Sequence, residues 1–312
     1  MKSLWIVVFQ GLTLLIILAG VLDLPETLPF FLELITHFRT QYALFSLLLI
    51  LFFLLQGNRL FLILAIGAFL LHFTGLLQWS IPGTSRKTTG EELRVLVFNV
   101  QYSNRQHSSV IEEVQAANAH VVGILELSHT WKQALSPLEE IYPYRHHLPR
   151  DDGFGLGIYS KEPLEKTNVL HLGKVPVPTL VADLRLRTGP VHLVLTHALP
   201  PVSPEYFHLR NIHLSELAAH MKESRTPQMI MGDLNVTMFS PNYRALERVS
   251  RLQNARKGFG IVPTWPDANP LLAIPIDHIL IDHSFQVLDF RSGNPCGSDH
   301  SPILAVLTLA EM

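Results

Sequence analysis

Cysteine is almost absent from this chain. Cys296 is the only one in 312 residues, which excludes an intramolecular disulfide and any cluster of thiolate metal ligands. Charge is nearly missing from the first quarter: residues 1–82 hold only Lys2, Arg39, Arg59, Asp23, Glu26 and Glu33 as formal charges. Residues 83–312 hold 21 of the 24 Lys and Arg and 23 of the 26 Asp and Glu. An excess of positive charge is missing as well. The charged part nets −2, whereas nucleic-acid enzymes usually present a basic surface. The sequence has no internal repeat and no low-complexity segment.

Where charge is lacking, apolar residues run on. Leu4–Leu22, Tyr42–Leu55 and Leu60–Trp79 stand out, and a helix crossing the hydrocarbon core needs about 20 mostly apolar residues. The first and third reach that length, and the second does so when Phe38–Gln41 are added. Gly57-Asn58-Arg59 suits a tight hairpin between the second and third. A transmembrane region over residues 1–80 is expected, with three helices at about 4–22, 38–56 and 60–79. A cleaved signal peptide is the rival for the first run, but Asp23-Leu-Pro-Glu stands where a small-x-small cleavage site belongs. Three crossings put Lys2 and Arg59 on one side and Asp23, Glu26, Glu33 and Arg39 on the other. The positive-inside rule then places Lys2 and Arg59 in the cytoplasm and the later domain outside it, opposed mildly by Arg86 and Lys87. Trp79 is expected as an interfacial anchor. The location implied is a cell membrane of bacterial type, crossed more than once.

A polar linker rich in Gly, Pro, Ser and Thr is expected over 81–92. The rest, 93–312, alternates strand and helix patterns. Leu93–Asn99, Val121–Glu126, Gly155–Ser160, Leu180–Arg187, Val191–His197, Met229–Asp233, Ile276–Ile281 and Ile303–Leu309 read as strands. His107–Ala119, the segment after Ser128, residues 208–223 and Tyr243–Leu252 read as helices. Thr188-Gly189-Pro190 turns one strand pair into a hairpin. Strands alternating with helices around an antiparallel hairpin make an α/β domain of two packed mixed sheets flanked by helices.

Strand after strand ends on a chemically capable residue: Asn99, Glu126, His197, then Asp233 with Asn235. Asp277 and His278 stand at a strand start, and Asp299 and His300 precede the last strand. Any one of these is ordinary as a cap or turn former. Together they suit convergence on one pocket, because strand ends of a layered domain can meet. Glu126 and Asp299 offer hard oxygen ligands, so Mg²⁺ or Mn²⁺ fits better than Zn²⁺. His197 and His300 can hydrogen-bond or protonate oxygens, and Asp233 can orient or deprotonate water. Asn99 and Asn235 can donate to anionic oxygens. The set suits in-line attack of water on a phosphate ester.

The ordered motifs FNV (98–100), ILE (124–126), LTH (195–197), GDLN (232–235), PIDHIL (275–280) and GSDHSPI (297–303) resemble the endonuclease/exonuclease/phosphatase superfamily over about residues 93–309. The resemblance implies a four-layer αββα sandwich and Mg²⁺ (or Mn²⁺) as cofactor. It implies Glu126 as principal metal ligand with Asn99 and Asp299 close by, and His197 on the scissile phosphate. Asp233 would position water and Asn235 would bind the phosphoryl oxygen. His300 would face the phosphate with Asp277 paired behind it. Some members carry an acidic residue two positions after the first Asn. Here that position is Gln101, which points to single-metal chemistry, with Asn104 either assisting or forming a turn.

Arg210 either reaches a phosphate or lies on a solvated helix face. Arg244, Arg248 and Arg251 share a helix face, with Arg256 and Lys257 following. That face grips nucleic-acid phosphates, rests on anionic lipid heads, or is simply solvated. Trp265 either stacks on substrate or belongs to the core. The expectation is a membrane-anchored, metal-dependent phosphoester hydrolase of nuclease or phosphodiesterase type. A phospholipid or inositol-phosphate hydrolase and a non-catalytic binding module are the alternatives. A phosphate ester and the lipid bilayer are the expected partners, and nothing in the sequence calls for a protein partner.

Overall fold

Each long apolar run folds as a helix, the conformation in which a single segment satisfies its own backbone groups. The computed structural model describes residues 2–22, 25–81, 90–223 and 226–309. Helices α1 (Lys2–Val21), α2 (Phe30–Thr36), α3 (Arg39–Gln56) and α4 (Arg59–Ser80) come first. Gly57 closes α3 in the left-handed conformation (φ +75°), and the Asn58 side chain accepts a hydrogen bond from Phe61 N at 3.3 Å to open α4. Ile16, Leu49, Phe53, Ala65 and Ala68 form a small core between α1, α3 and α4. Most other side chains of these helices face outward although they are apolar; Leu55 is 80% and Leu15 61% exposed. α1, α3 and α4 are each long and apolar enough to cross a membrane. The short helix α2, absent from the sequence expectation, lies between the first two. Asp23, Arg86, Lys87 and most of the expected linker, residues 82–89, lie outside the described residues.

The second part contains β1 (Glu91–Asn99), α5 (His107–Ala117), β2 (Val121–Leu125), α6 (His129–Ala134), β3 (Tyr144–Leu148), β4 (Leu156–Ser160) and β5 (Leu164–Leu170). It continues with β6 (Thr179–Leu186), β7 (Gly189–His197), α7 (Pro204–Glu223), β8 (Gln228–Asp233), α8 (Pro241–Ser250), β9 (Gln253–Asn254), β10 (Asp277–Ile281), β11 (Phe285–Ser292) and β12 (Ile303–Leu309). Two six-stranded mixed sheets result, ordered β11-β12-β1-β2-β4-β3 and β5-β6-β7-β8-β10-β9. Each has one parallel pair near its centre, β1 with β2 and β7 with β8. Each pair is joined through a helix, α5 or α7, as a parallel connection requires. Apolar side chains fill the space between the sheets, and further cores lie under α5 and α6 and under α7 and α8. This is the expected four-layer αββα sandwich.

The end of α4 belongs to this sandwich. Trp79 is 6% exposed and packs with Leu217, Met221 and Tyr243. It is therefore a core residue and not the interfacial anchor expected from the sequence. Its carbonyl accepts hydrogen bonds from Gly258 N at 2.8 Å and Gly260 N at 2.9 Å.

Candidate active site

The side chains facing the inter-sheet core alternate along each strand, and four central strands end that series on a polar residue. Leu93, Val95 and Val97 lead to Asn99; Val191, Leu193 and Leu195 lead to His197. Met229 and Met231 lead to Asp233, and Ile281 and Ile279 lead back to Asp277. Two-residue periodicity is enough to aim all four inward. Register then aligns three of them, since Asp233 is the direct partner of His197 on one side and of Asp277 on the other. The site is thus the polar edge of the inter-sheet core, and Asn99 Nδ2 crosses between the sheets to within 3.4 Å of Asp233 Oδ2. Gly232 is needed at the preceding position: φ is +150° and a Cβ there would sit 1.8 Å from the Thr196 carbonyl oxygen.

Alternation alone would turn Glu126 to the outward face with Val122 and Ile124. Its φ of +59° breaks the strand instead, and Asn99 Nδ2 donates to its Oε1 at 3.0 Å while Tyr102 N donates to its Oε2 at 2.9 Å. Gln101 (φ +58°) and Asn235 (φ +49°) are also left-handed. Non-glycine residues held this way concentrate at functional sites, and all three adjoin this one. β8 ends at Asp233, so Asn235 lies beyond the strand. Asp233 Oδ1 accepts from Asn235 N at 2.8 Å in a tight turn, and Asn235 Nδ2 donates to the Ala198 carbonyl at 2.9 Å.

Asp233 Oδ2 lies 3.4 Å from His197 Nε2 and 3.8 Å from His300 Nε2. His300 Nδ1 faces Asp277 Oδ2 at 2.9 Å. Burial works to lower the His300 pKa, but the Asp277 carboxylate outweighs it and holds the imidazolium up to about 10. Burial likewise works to raise the Asp277 pKa, and the facing His300 imidazolium brings it below the usual range. His197 is also raised: burial opposes its charge, and the Asp233 carboxylate overrides that. His197 Nδ1 is buried with no hydrogen-bond partner among the described residues.

The donor chemistry fits a hard divalent cation. Each Glu126 oxygen accepts one hydrogen bond and Asn99 Oδ1 accepts one from Gln101 N, which leaves carboxylate and amide lone pairs for a metal. Asp233, Asp277 and His300 also bring ligand-type atoms within 4.8 Å of one another. The short His300–Asp277 contact makes that trio a hydrogen-bonded acid–base group in preference to a cation cage.

The other predicted residues fall at the margin or outside. Asp299 Oδ2 accepts from Trp265 Nε1 at 3.1 Å, which makes Trp265 a partly exposed rim residue with its ring centroid 6.4 Å from that of His300. Asn104 is structural: its Nδ2 bonds the Val100 and Cys296 carbonyls. Arg210 is wholly buried and directed to Glu33 and the Asn235 carbonyl, so its guanidinium is not open to a substrate. Of the expected basic face, Arg244 donates to the Phe239 carbonyl, Arg248 meets Glu26 at 3.5 Å, and Arg256 is buried against His278. Sequence reasoning missed Ser298, whose hydroxyl donates to the Asn99 carbonyl at 2.7 Å and accepts from His300 N at 3.0 Å. Its place in the GSDH motif was the available signal.

Comparison with known proteins gives a consistent fold. A zebrafish TDP2 structure, described as complexed with single-strand DNA product, is 15% identical with a TM-score of 0.61, covering 70% of this chain and 99% of its own. An endonuclease/exonuclease/phosphatase protein from Bacteroides vulgatus is 22% identical with a TM-score of 0.59, covering 70% and 99%. One from Beutenbergia cavernae is 17% identical with a TM-score of 0.59, covering 70% and 72%. No curated protein matches. The model of the endonuclease/exonuclease/phosphatase family matches residues 96–300, well over half of the chain, and the protein therefore belongs to that family, whose members are generally phosphoester hydrolases.

Proposed function

We propose that this protein is a membrane-anchored, Mg²⁺- or Mn²⁺-dependent hydrolase of phosphodiesters. It divides into a membrane region over 1–80, a linker from 81 and a catalytic domain, expected over 93–312, whose first strand begins two residues earlier at Glu91. One observation carries the reading: Asn99, Glu126, His197, Asp233, Asp277 and His300 converge at the ends of the two parallel strand pairs. Glu126 would hold the metal, with Asn99 beside it and Asp299 on the rim. A bound divalent cation polarises a phosphoryl oxygen and offsets the charge that builds on it. As water attacks phosphorus and the scissile P–O bond breaks, Asp233 accepts the water's proton and the leaving oxygen takes one from solvent, while His197 and the second amide proton of Asn235 bind phosphoryl oxygens. His300, kept protonated by Asp277, stabilises the developing negative charge.

A lipid or inositol phosphate is the second reading of the substrate. It is favoured by the placement of the basic residues, because Arg256 is buried against His278 and Arg244 is turned to the Phe239 carbonyl, which thins the basic face a nucleic-acid strand would need. The deciding experiment is a metal-supplemented screen of the full chain in lipid nanodiscs against DNA, RNA, phospholipids and inositol phosphates. Hydrolysis of at least one class is expected, dependent on Mg²⁺ or Mn²⁺ and abolished by EDTA. No metal-dependent turnover of any class would sink the proposal.

The reading of topology is three crossings with the catalytic domain outside the cytoplasm. Support comes from α2, which joins the domain through Glu33 to Ser240 at 2.8 Å, and from Gln41 Nε2, which donates to the Ala273 carbonyl at 3.1 Å. The loop before α3 and the domain after α4 must then share one side, as they do when α3 and α4 both cross. Reporter fusions after residue 90 are expected to be active only outside the cytoplasm, and those within 57–58 only inside it. Cytoplasmic activity after residue 90 would mean an inverted insertion or a different number of crossings.

A further inference from the structure

The membrane region does more than meet the domain's surface. Glu33 and Arg210, from α2 and α7, form an ion pair at 2.5 Å with both side chains fully excluded from solvent. Glu33 also accepts from Ser240 Oγ and Asn242 Nδ2. His37, just past α2, meets Thr237 Oγ1 at 3.0 Å. Arg210 donates through Nη1 to the Asn235 carbonyl at 3.0 Å and through Nε and Nη2 to Asn211 Oδ1. Besides Arg210 of α7, Glu33 and His37 therefore reach Thr237, Ser240 and Asn242 in the segment that follows Asp233.

That segment has reason to need outside support. Asn235 is left-handed (φ +49°), a conformation that in a non-glycine residue is held by its surroundings. The hydrogen bond to its carbonyl fixes the peptide plane that also orients its amide side chain. The donor is a buried guanidinium, and a buried charge is stable only when paired. Among the described residues Glu33 is the carboxylate paired with it.

Resting on the proposed phosphodiesterase reading, we infer that Glu33 of the membrane region is a positioning residue for the active site, acting through Arg210 on Asn235. The bilayer anchor thus completes the catalytic loop, and the domain over 93–312 alone lacks a part of its site.

The test uses the full chain in nanodiscs, with bis(p-nitrophenyl) phosphate and Mn²⁺ as the assay. Glu33→Gln is expected to lower kcat by about 10–100-fold, since a misplacement of about 1 Å can cost about 10²-fold. KM should change less than kcat. Hydrogen exchange of the amides in 234–240 should accelerate while those of β7 and β10 stay protected. The exposed pair between the same regions serves as control: Arg248→Ala should leave kcat and exchange unchanged. Glu33→Gln with wild-type kcat and unaltered exchange overturns the inference. If the single variant does not fold, Glu33→Gln/Arg210→Met leaves no buried charge and should fold yet stay slow with a loosened loop. Wild-type kcat in that folded double variant overturns the inference equally. If the unmodified protein hydrolyses no phosphodiester, the exchange data still decide the coupling, and only the functional reading falls.

Discussion

Replacing His300 with alanine is expected to lower turnover by about 10²–10⁴-fold, the usual contribution of a positioned acid–base group, while the metal concentration for half-maximal rate stays nearly constant. The reason is geometric. His300 Nδ1 is committed to Asp277 at 2.9 Å, so the ring acts as a fixed cation toward the phosphate and not as a ligand. Asp277→Asn should move activity in the same direction, because the amide no longer favours the imidazolium. Combining it with His300→Ala should add little, since groups acting as a unit are not additive. Fully multiplicative losses would break the pairing, and rescue of His300→Ala by extra metal would put that ring on the ion. The pH profile offers an independent check. The His300 pKa is raised to about 10, so the charged form is complete at neutral pH and is lost only as pH rises through that value. Without the Asp277 carboxylate the alkaline limb should shift to lower pH. An unmoved limb in Asp277→Asn would assign it to another group.

Glu126→Gln carries the other large effect. The carboxylate already serves two donors, Asn99 Nδ2 and Tyr102 N, and an amide at that position keeps the size but removes the charge that would attract a divalent cation. Activity at ordinary Mg²⁺ or Mn²⁺ should fall by about 10²-fold or more, in line with loss of several kcal/mol of charge stabilisation. High metal should restore part of it. Calorimetric titration should show weaker Mn²⁺ binding in Glu126→Gln and unchanged binding in His300→Ala. Equal affinity in both variants would remove Glu126 from the metal site.

The sequence was most legible at the centre of the sheets and least at their margins. β1, β2, β7, β8, β10 and β12 are buried on both faces or nearly so and show as apolar runs. The strands that escaped notice, β3, β5, β9 and β11, are the four edge strands. Tyr144-Arg-His-His-Leu148 and Leu164-Glu-Lys-Thr-Asn-Val-Leu170 are largely exposed, so no face of them needs a continuous apolar pattern. The candidate site was legible for a related reason: its residues terminate those same central strands, and a polar residue ending a buried run is conspicuous. The turned backbones at Glu126 and Asn235 were not legible, since neither residue type demands a left-handed conformation. Glu33 was invisible as a partner because one acidic residue in an apolar region reads as a loop charge. Its pairing with Arg210, 177 positions away, exists only once the chain has folded.

The two amides of Gly258 and Gly260 that grip the Trp79 carbonyl act on the enzyme as a mount acts on an instrument. A catalytic head on a slack leash would sweep every height and angle above its support. A head held at the foot of α4, and again at α2, keeps its opening at one bearing to those helices. Lengthening the chain after Ser80 would therefore leave that bearing intact so long as these two hydrogen bonds and the Glu33–Arg210 pair hold.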